Sequence, residues 1–461
     1  MNGEELDQLA GEVDALGAAL DEERFRHVAG MEAEPSLARL FARWPRAAHR
    51  ETVARLREQK HDELAERVAG LRTERAQAEH EDAWRAAEAA ASGRGPDGPL
   101  PLAALDLAAA AEDDPARRRA FGAAAAEALE AAARPREAAL ETRARAAAEV
   151  GLAPDWKAVV VGDESLRATD DGWREVLEFT VRRELGGAPA GGLARADLLR
   201  AVGARRWEGL FRRGMLAVAA KLTLEGLGLA HIAVRVDDAG RPGQWPGAHA
   251  IGARISFRPR GGGGDWADLL AAIGRALAAT SAPASRRDAD LGEAFAWVLG
   301  SLTLEPRWLA ARADVDRRHA ADVVRELALR RLLALRADAA AVRVAAEAAR
   351  GLSGQALRDA HRAALHAATS AAWDGVRAAR DADADRLASR LRGADAGESL
   401  RRTLVERFDE DWWRNPRTAE HLAALLAAGR LPPEPAPPPA APPPAALAAR
   451  SLLAALEGAR S

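Results

Sequence analysis

Residues 254–277 read Arg-Ile-Ser-Phe-Arg-Pro-Arg-Gly-Gly-Gly-Gly-Asp-Trp-Ala-Asp-Leu-Leu-Ala-Ala-Ile-Gly-Arg-Ala-Leu. The opening Arg254-Ile-Ser-Phe-Arg258 alternates apolar and polar side chains, the pattern of a half-buried strand. Glycines then break regular structure, and Asp265 stands where a helix N-cap belongs, ahead of apolar residues at helical spacing from Trp266 to Ala279. Strand, glycine turn and helix thus follow one another directly. A second strand candidate, His231-Ile-Ala-Val-Arg-Val-Asp237, lies upstream, and Gly240-Arg-Pro-Gly-Gln-Trp-Pro-Gly247 between the two reads as a loop.

Away from this centre the pattern is helical. Leu37, Phe41 and Trp44, then Val53, Leu56, Leu64, Val68 and Leu71, recur at spacings of three and four with charge between them. Only Gly70 interrupts Glu51 to Ala91, which predicts a long antiparallel helical hairpin there; Ser92 to Pro101, rich in Gly and Pro, reads as a loop. Ala-rich helix resumes from Leu102 to Ala148 and again from Gly292 to about Arg430. The Pro-rich run from Leu431 to Pro444 predicts a polyproline II spacer, followed by a short helix from Ala446 to Gly458. The spacer is either a linker that docks the last helix or a ligand for an SH3-like partner. The fold class predicted is mainly α, with a small β-sheet inserted near the middle.

Composition removes several chemistries. The 461 residues carry a formal charge of only −3, which gives no support to nucleic acid or an acidic membrane surface as partner. There is no Cys, hence no disulfide, thiol nucleophile or thiolate metal site, and no Tyr. Lysine occurs only at Lys60, Lys157 and Lys221, so arginine supplies nearly all positive charge, as in proteins of GC-rich bacteria. The acidic N-terminus lacks the pattern of a signal peptide and every Ala-rich run is broken by charge, so the expected location is cytoplasmic. No two of the ten histidines lie three or four residues apart, the spacing that sets two imidazoles on one helical face. The glycine run before Asp265 lacks the Lys-Ser/Thr pair of a phosphate loop, and an aspartate there would repel phosphate.

Residues 241–309 contain a set of motifs in fixed order: Arg241-Pro-Gly, Arg258-Pro-Arg-Gly-Gly, Asp265, Leu269-Leu-Ala-Ala-Ile-Gly-Arg-Ala-Leu277, Gly292-Glu-Ala-Phe-Ala296 and Leu302-Thr-Leu-Glu-Pro-Arg-Trp-Leu309. Arg26-His-Val-Ala-Gly30 and Asp411-Trp-Trp-Arg-Asn-Pro416 extend the set towards both ends. Together they resemble the thimet oligopeptidase and oligoendopeptidase F family of zinc metallopeptidases. That resemblance implies a helical two-lobed clamp around a cleft, with an active-site helix reading His-Glu-x-Gly-His-Ala-Leu and a later helix reading Glu-x-Phe-Ala. Carried over position by position, the first His falls on Ala271, the general-base Glu on Ala272 and the second His on Arg275; Glu293 alone retains a ligand position. A lone carboxylate cannot hold zinc where three ligands are needed, so the expected cofactor is none. The family's phenolic donor to the tetrahedral intermediate is also missing, since the chain has no Tyr.

The remaining side chains leave alternatives. Arg275 either pairs with Glu293 in the vacated site or points into a wet cleft, and His249 and Arg260 are further cleft candidates. Phe295, Trp297, Trp308 and the pair Trp412 and Trp413 are core packing or walls of a peptide cleft. The expected organisation is a helical lobe over 1–150, a helical connection over 151–230, a degenerate zincin-like core over 231–310, a second lobe over 311–430, and linker plus terminal helix over 431–461. The expected function is a catalytically inactive peptidase homologue binding peptides or an active homologue. Two alternatives remain: an active metal-dependent oligoendopeptidase with an atypical ligand set, and an assembly protein with a closed cleft.

Overall fold

Ala, Leu, Arg and Glu, all strong helix formers, fill most of the chain, and its structure is built accordingly. The computed structural model describes residues 2–31, 36–188, 192–203, 205–431 and 446–458. The first part comprises α1 (Gly3–Val28), α2 (Leu37–Arg43), α3 (Arg50–Glu58) and α4 (Asp62–Ala90), then a hairpin of β1 (Ser92–Gly95) and β2 (Gly98–Pro101), then α5 (Leu102–Ala111) and α6 (Pro115–Glu149). The long antiparallel pair is α4 with α6, joined by Arg72–Glu149 near one end and Arg136–Glu81 near the middle. The hairpin expected within 51–91 is not there: Lys60, at φ +61°, breaks that stretch into α3 and α4. Ser92 to Pro101 is a strand pair and not a loop. Its Gly93 and Gly95 have no room for a Cβ against Ala124 and Phe121 of α6, so the glycines that looked like loop formers let the ribbon lie flush on the helix.

Next in the chain come α7 (Trp156–Arg167), α8 (Asp170–Leu185), α9 (Arg195–Ala201) and α10 (Arg213–Gly226). The central sheet has the order β3-β5-β4, from β3 (Arg235–Asp237), β4 (Gly247–Ile251) and β5 (Arg254–Arg258). β3 runs parallel to β5 and β4 antiparallel to it, with Ala250 opposite Ile255 and Ala248 opposite Phe257. Only the end of the upstream strand candidate forms β3. The strand β4 was not expected, because Gly247-Ala-His-Ala-Ile251 has little β propensity and takes its extended form from pairing with the apolar β5.

Beyond the sheet come α11 (Gly263–Ser281), α12 (Ala289–Ser301), α13 (Pro306–Arg312), α14 (Arg317–Ala348), α15 (Gly354–Thr369), α16 (Ala378–Asp381), α17 (Ala384–Phe408), α18 (Pro416–Ala428) and α19 (Leu447–Gly458). The N-cap of α11 is Gly262 and not Asp265. Gly261 and Gly262 take φ of +104° and +76°, a region that strains L side chains, and the Asp265 carboxylate accepts the backbone N–H groups of Arg260 (2.8 Å) and Gly261 (2.7 Å). The aspartate thus closes the turn from inside the helix. The expected polyproline spacer, from residue 432 onward, lies outside the described residues. α19 buries Leu452 and Leu456, and Asp395 of α17 accepts the N–H groups of Ala446 and Ala448 at 2.9 Å each.

Phe295, Trp266, Trp308, Trp412 and Trp413 are all buried around α11, with Trp266 packed edge-on against Phe211 and Trp308. These aromatics are core and not cleft walls. Among the described residues no helix is long and apolar enough to cross a membrane.

α11 and α12 touch at Gly274, where an added methyl would lie 2.6 Å from the Ala296 nitrogen and closer still to the Phe295 carbonyl. Replacing Gly274 by Ala should therefore cost about 1–3 kcal/mol in urea unfolding, because backbone must move. Gly70 has open space around it within α4, so Gly70→Ala should instead stabilise by about 0.5–1 kcal/mol in the same assay.

Candidate functional site

Between residues 263 and 278, only Ala267, Asp268, Ala271 and Arg275 of α11 are not buried. Their spacing of one, three and four residues puts them on one helical face, while Trp266, Leu269, Leu270, Ile273 and Leu277 bury the other. This stripe carries two of the three positions that the motif resemblance assigns to an active site, Ala271 and Arg275. The third, Ala272, is fully buried.

Arg275 meets Glu293 of α12 in a bidentate pair: Nε donates to Oε1 at 2.8 Å and Nη2 to Oε2 at 2.7 Å. Arg275 keeps 31% of its side-chain surface and Glu293 15%, so the pair lines a space that water reaches. Burial by itself would raise the Glu293 carboxyl and lower the Arg275 guanidinium. Their mutual attraction outweighs it on both sides, holding Glu293 below the usual carboxylate range and Arg275 above its ordinary value. Asp338 of α14, which pairs with Arg390 of α17 at 2.9 Å, adds its field from across this space.

One turn earlier, Asp268 accepts from Arg330 of α14 at 2.8 Å and pairs with the Arg260 guanidinium. Burial would raise Asp268, but Arg330 and Arg260 outweigh it and hold the carboxyl low. His249 of β4 donates from Nε2 to the Pro246 carbonyl at 3.1 Å, within electrostatic reach of Arg260 and Asp268. The structure thus brings together Arg275 with Glu293, and Arg260 with Asp268 near His249. Asp268, Arg330 and Arg331 were not singled out in the sequence. Asp268 lay seven residues before Arg275, the spacing of one helical face, but nothing local marked the arginines of α14.

The donor set does not fit zinc. Alanine at 271 and 272 offers no lone pair, both oxygens of Glu293 already accept from a guanidinium, and His249 commits Nε2 to a carbonyl. Among the described residues no group of three or more His, Asp or Glu is placed to hold a metal ion.

Two measurements follow from this geometry. Arg275→Ala leaves Glu293 without its counter-charge and should cost about 1–3 kcal/mol, discounted for the water that reaches the pair. The double change Arg275→Leu with Glu293→Leu should unfold at a urea concentration closer to wild type than Arg275→Ala does. His249 is held down to about 4, chiefly by burial and against its hydrogen bond to Pro246. The unfolded chain takes up the proton near pH 6.5, so the stability of the neutral ring is complete above that pH and is lost as pH falls towards 4. His249→Gln should remove about 2 kcal/mol of the stability difference between pH 7 and pH 5.

No protein-family model matches the chain, and neither does any curated protein sequence. Solved structures do. The chain is similar to PZ peptidase A with inhibitor 2, at TM-score 0.56 and 12% identity over 99% of this chain and 87% of that one. It is similar to an oligoendopeptidase F from Bacillus anthracis str. Ames, at TM-score 0.51 and 11% identity over 99% and 86%. It is also similar to Trypanosoma cruzi metallocarboxypeptidase 1, at TM-score 0.50 and 11% identity over 92% and 91%. At such identities the likeness speaks for architecture: the chain has the helical fold of oligoendopeptidase F and related peptidases.

Proposed function

We propose that this chain is a peptidase homologue that binds a peptide, or an active homologue as partner, without hydrolysing it. The observation that carries the reading is the Arg275–Glu293 pair. Amide hydrolysis in such a site needs a metal to activate water, a carboxylate to take its proton and a donor to hold the developing oxyanion. At the positions that the resemblance assigns to the first two stand Ala271, Ala272 and Arg275, and the chain has no Tyr to serve as a phenolic donor. A guanidinium satisfies the Glu293 carboxylate as a metal would, but it has no empty orbital with which to polarise a bound water. The accessible stripe along α11 supports a retained cleft.

The test is metal analysis of the purified full chain by mass spectrometry, with cleavage of a quenched fluorescent peptide library before and after added zinc. The expected result is substoichiometric metal and no cleavage that a chelator abolishes. Stoichiometric zinc with chelator-sensitive cleavage would overturn the reading in favour of an active enzyme with an atypical ligand set. Thermal-shift screening with the same peptides should raise the unfolding midpoint saturably, since a ligand seen only by the folded state stabilises it.

A further inference from the structure

Arg331 of α14 and Ala271 of α11 both border Gly300 of α12. A Cβ built on Gly300 would lie 3.3 Å from the Ala271 methyl and 3.7 Å from Arg331 Nη1. The guanidinium donates from Nη1 to Ser301 Oγ at 2.8 Å and from Nη2 to the Trp297 carbonyl at 3.3 Å, and its carbon stands 4.1 Å over the Trp297 ring. All of these partners are neutral. Among the described residues no carboxylate stands within ion-pair distance of it.

The neighbouring charges are already committed. Arg260 and Arg330 share Asp268, Arg275 has Glu293, and Arg390 has Asp338. Glu398, the carboxylate whose field acts most on Arg331, is bonded to Arg401 and Arg402 and accepts from Trp297 Nε1. Burial, with repulsion from Arg275 and Arg401, brings Arg331 down to about 10, so it remains charged at neutral pH. A partly buried cation with no counter-charge bonded to it is costly to keep, and an incoming anion relieves that cost. Ala267 and Ala271 of α11 are both partly accessible and carry no charge; the Ala267 carbonyl and the Ala271 methyl border Gly300 together with the guanidinium.

We propose that Arg331 is the anchor of a carboxylate subsite in the cleft, which selects peptides bearing an acidic side chain or a free C-terminal carboxylate. This rests on the reading of the cleft as a peptide site. A guanidinium edge suits a carboxylate through paired N–H donors, and the ligand supplies the bonded counter-charge that Arg331 lacks among the described residues.

Fluorescence anisotropy of the full-length chain with fluorescein-labelled hexapeptides of one neutral core tests this. The probes carry an added Glu with an amidated end, a free C-terminus, neither charge, or an added Lys with an amidated end. One or both carboxylate probes should bind about tenfold more tightly than the neutral and Lys probes, and whichever does so identifies the source of the carboxylate. Arg331→Gln should reduce that probe to the affinity of the neutral one with neutral binding unchanged, and Arg331→Lys should recover part of the difference. Both variants are checked by thermal midpoint. If Arg331→Gln does not fold, loss of the wild-type preference on competition with sodium succinate gives the same reading. Equal affinity for all probes, preference for Lys, or an unchanged preference in Arg331→Gln would each overturn the subsite and leave peptide binding standing. Binding of none of the probes would overturn both.

Discussion

Gly274 of α11 lies against the backbone of α12, and no side chain fits between them. On the other flank of α12, Gly393 and Gly397 of α17 press equally close, against Glu293, Ala294 and Trp297. α12 is thus held between two helices at backbone contact, and Glu293 is carried on an element that cannot shift without opening both seams. That constraint sets the height of the carboxylate over α11, so the side chain at position 275 decides what Glu293 meets. With Arg at 275 the carboxylate receives two N–H donors in a planar fork.

The chemistry of the site turns on a difference between a metal ion and a guanidinium. Both neutralise a carboxylate in a partly buried place. A metal accepts lone pairs from several ligands and keeps a position for water, whereas a guanidinium only donates hydrogen bonds and is satisfied by the carboxylate alone. With Arg275 on Glu293, neither Ala271 nor Ala272 is called on for a lone pair. Around the pair stand further arginine and carboxylate pairs that join separate elements: Arg260 and Arg330 on Asp268, and Arg390 on Asp338. Arg331 breaks the pattern, resting on neutral acceptors and an indole face.

Strand β5, the glycine turn and α11 were legible because each rests on local rules: alternation, glycine at positive φ and helical spacing of apolar residues. What failed to show was decided by neighbours. The β1–β2 ribbon has no alternating pattern, and its glycines are read correctly only against the surface of α6. β4 is extended because β5 lies beside it. Asp265 has the residue type of an N-cap, yet the positive-φ glycines ahead of it start the helix two residues earlier and turn its carboxylate back onto the turn.

The sequence by itself determined that the chain is mainly helical with a small central sheet. It also determined that positions 271, 272 and 275 carry no metal-binding side chain, since residue type alone sets which atoms can donate a lone pair. Only the tertiary structure decided that Arg275 turns to Glu293 instead of into open water, that Asp268 gathers Arg260 and Arg330, and that Arg331 has no carboxylate of its own among the described residues. Those outcomes depend on charges carried by helices far apart in the chain. Their energies are set by distance and burial, which no local pattern of residues records.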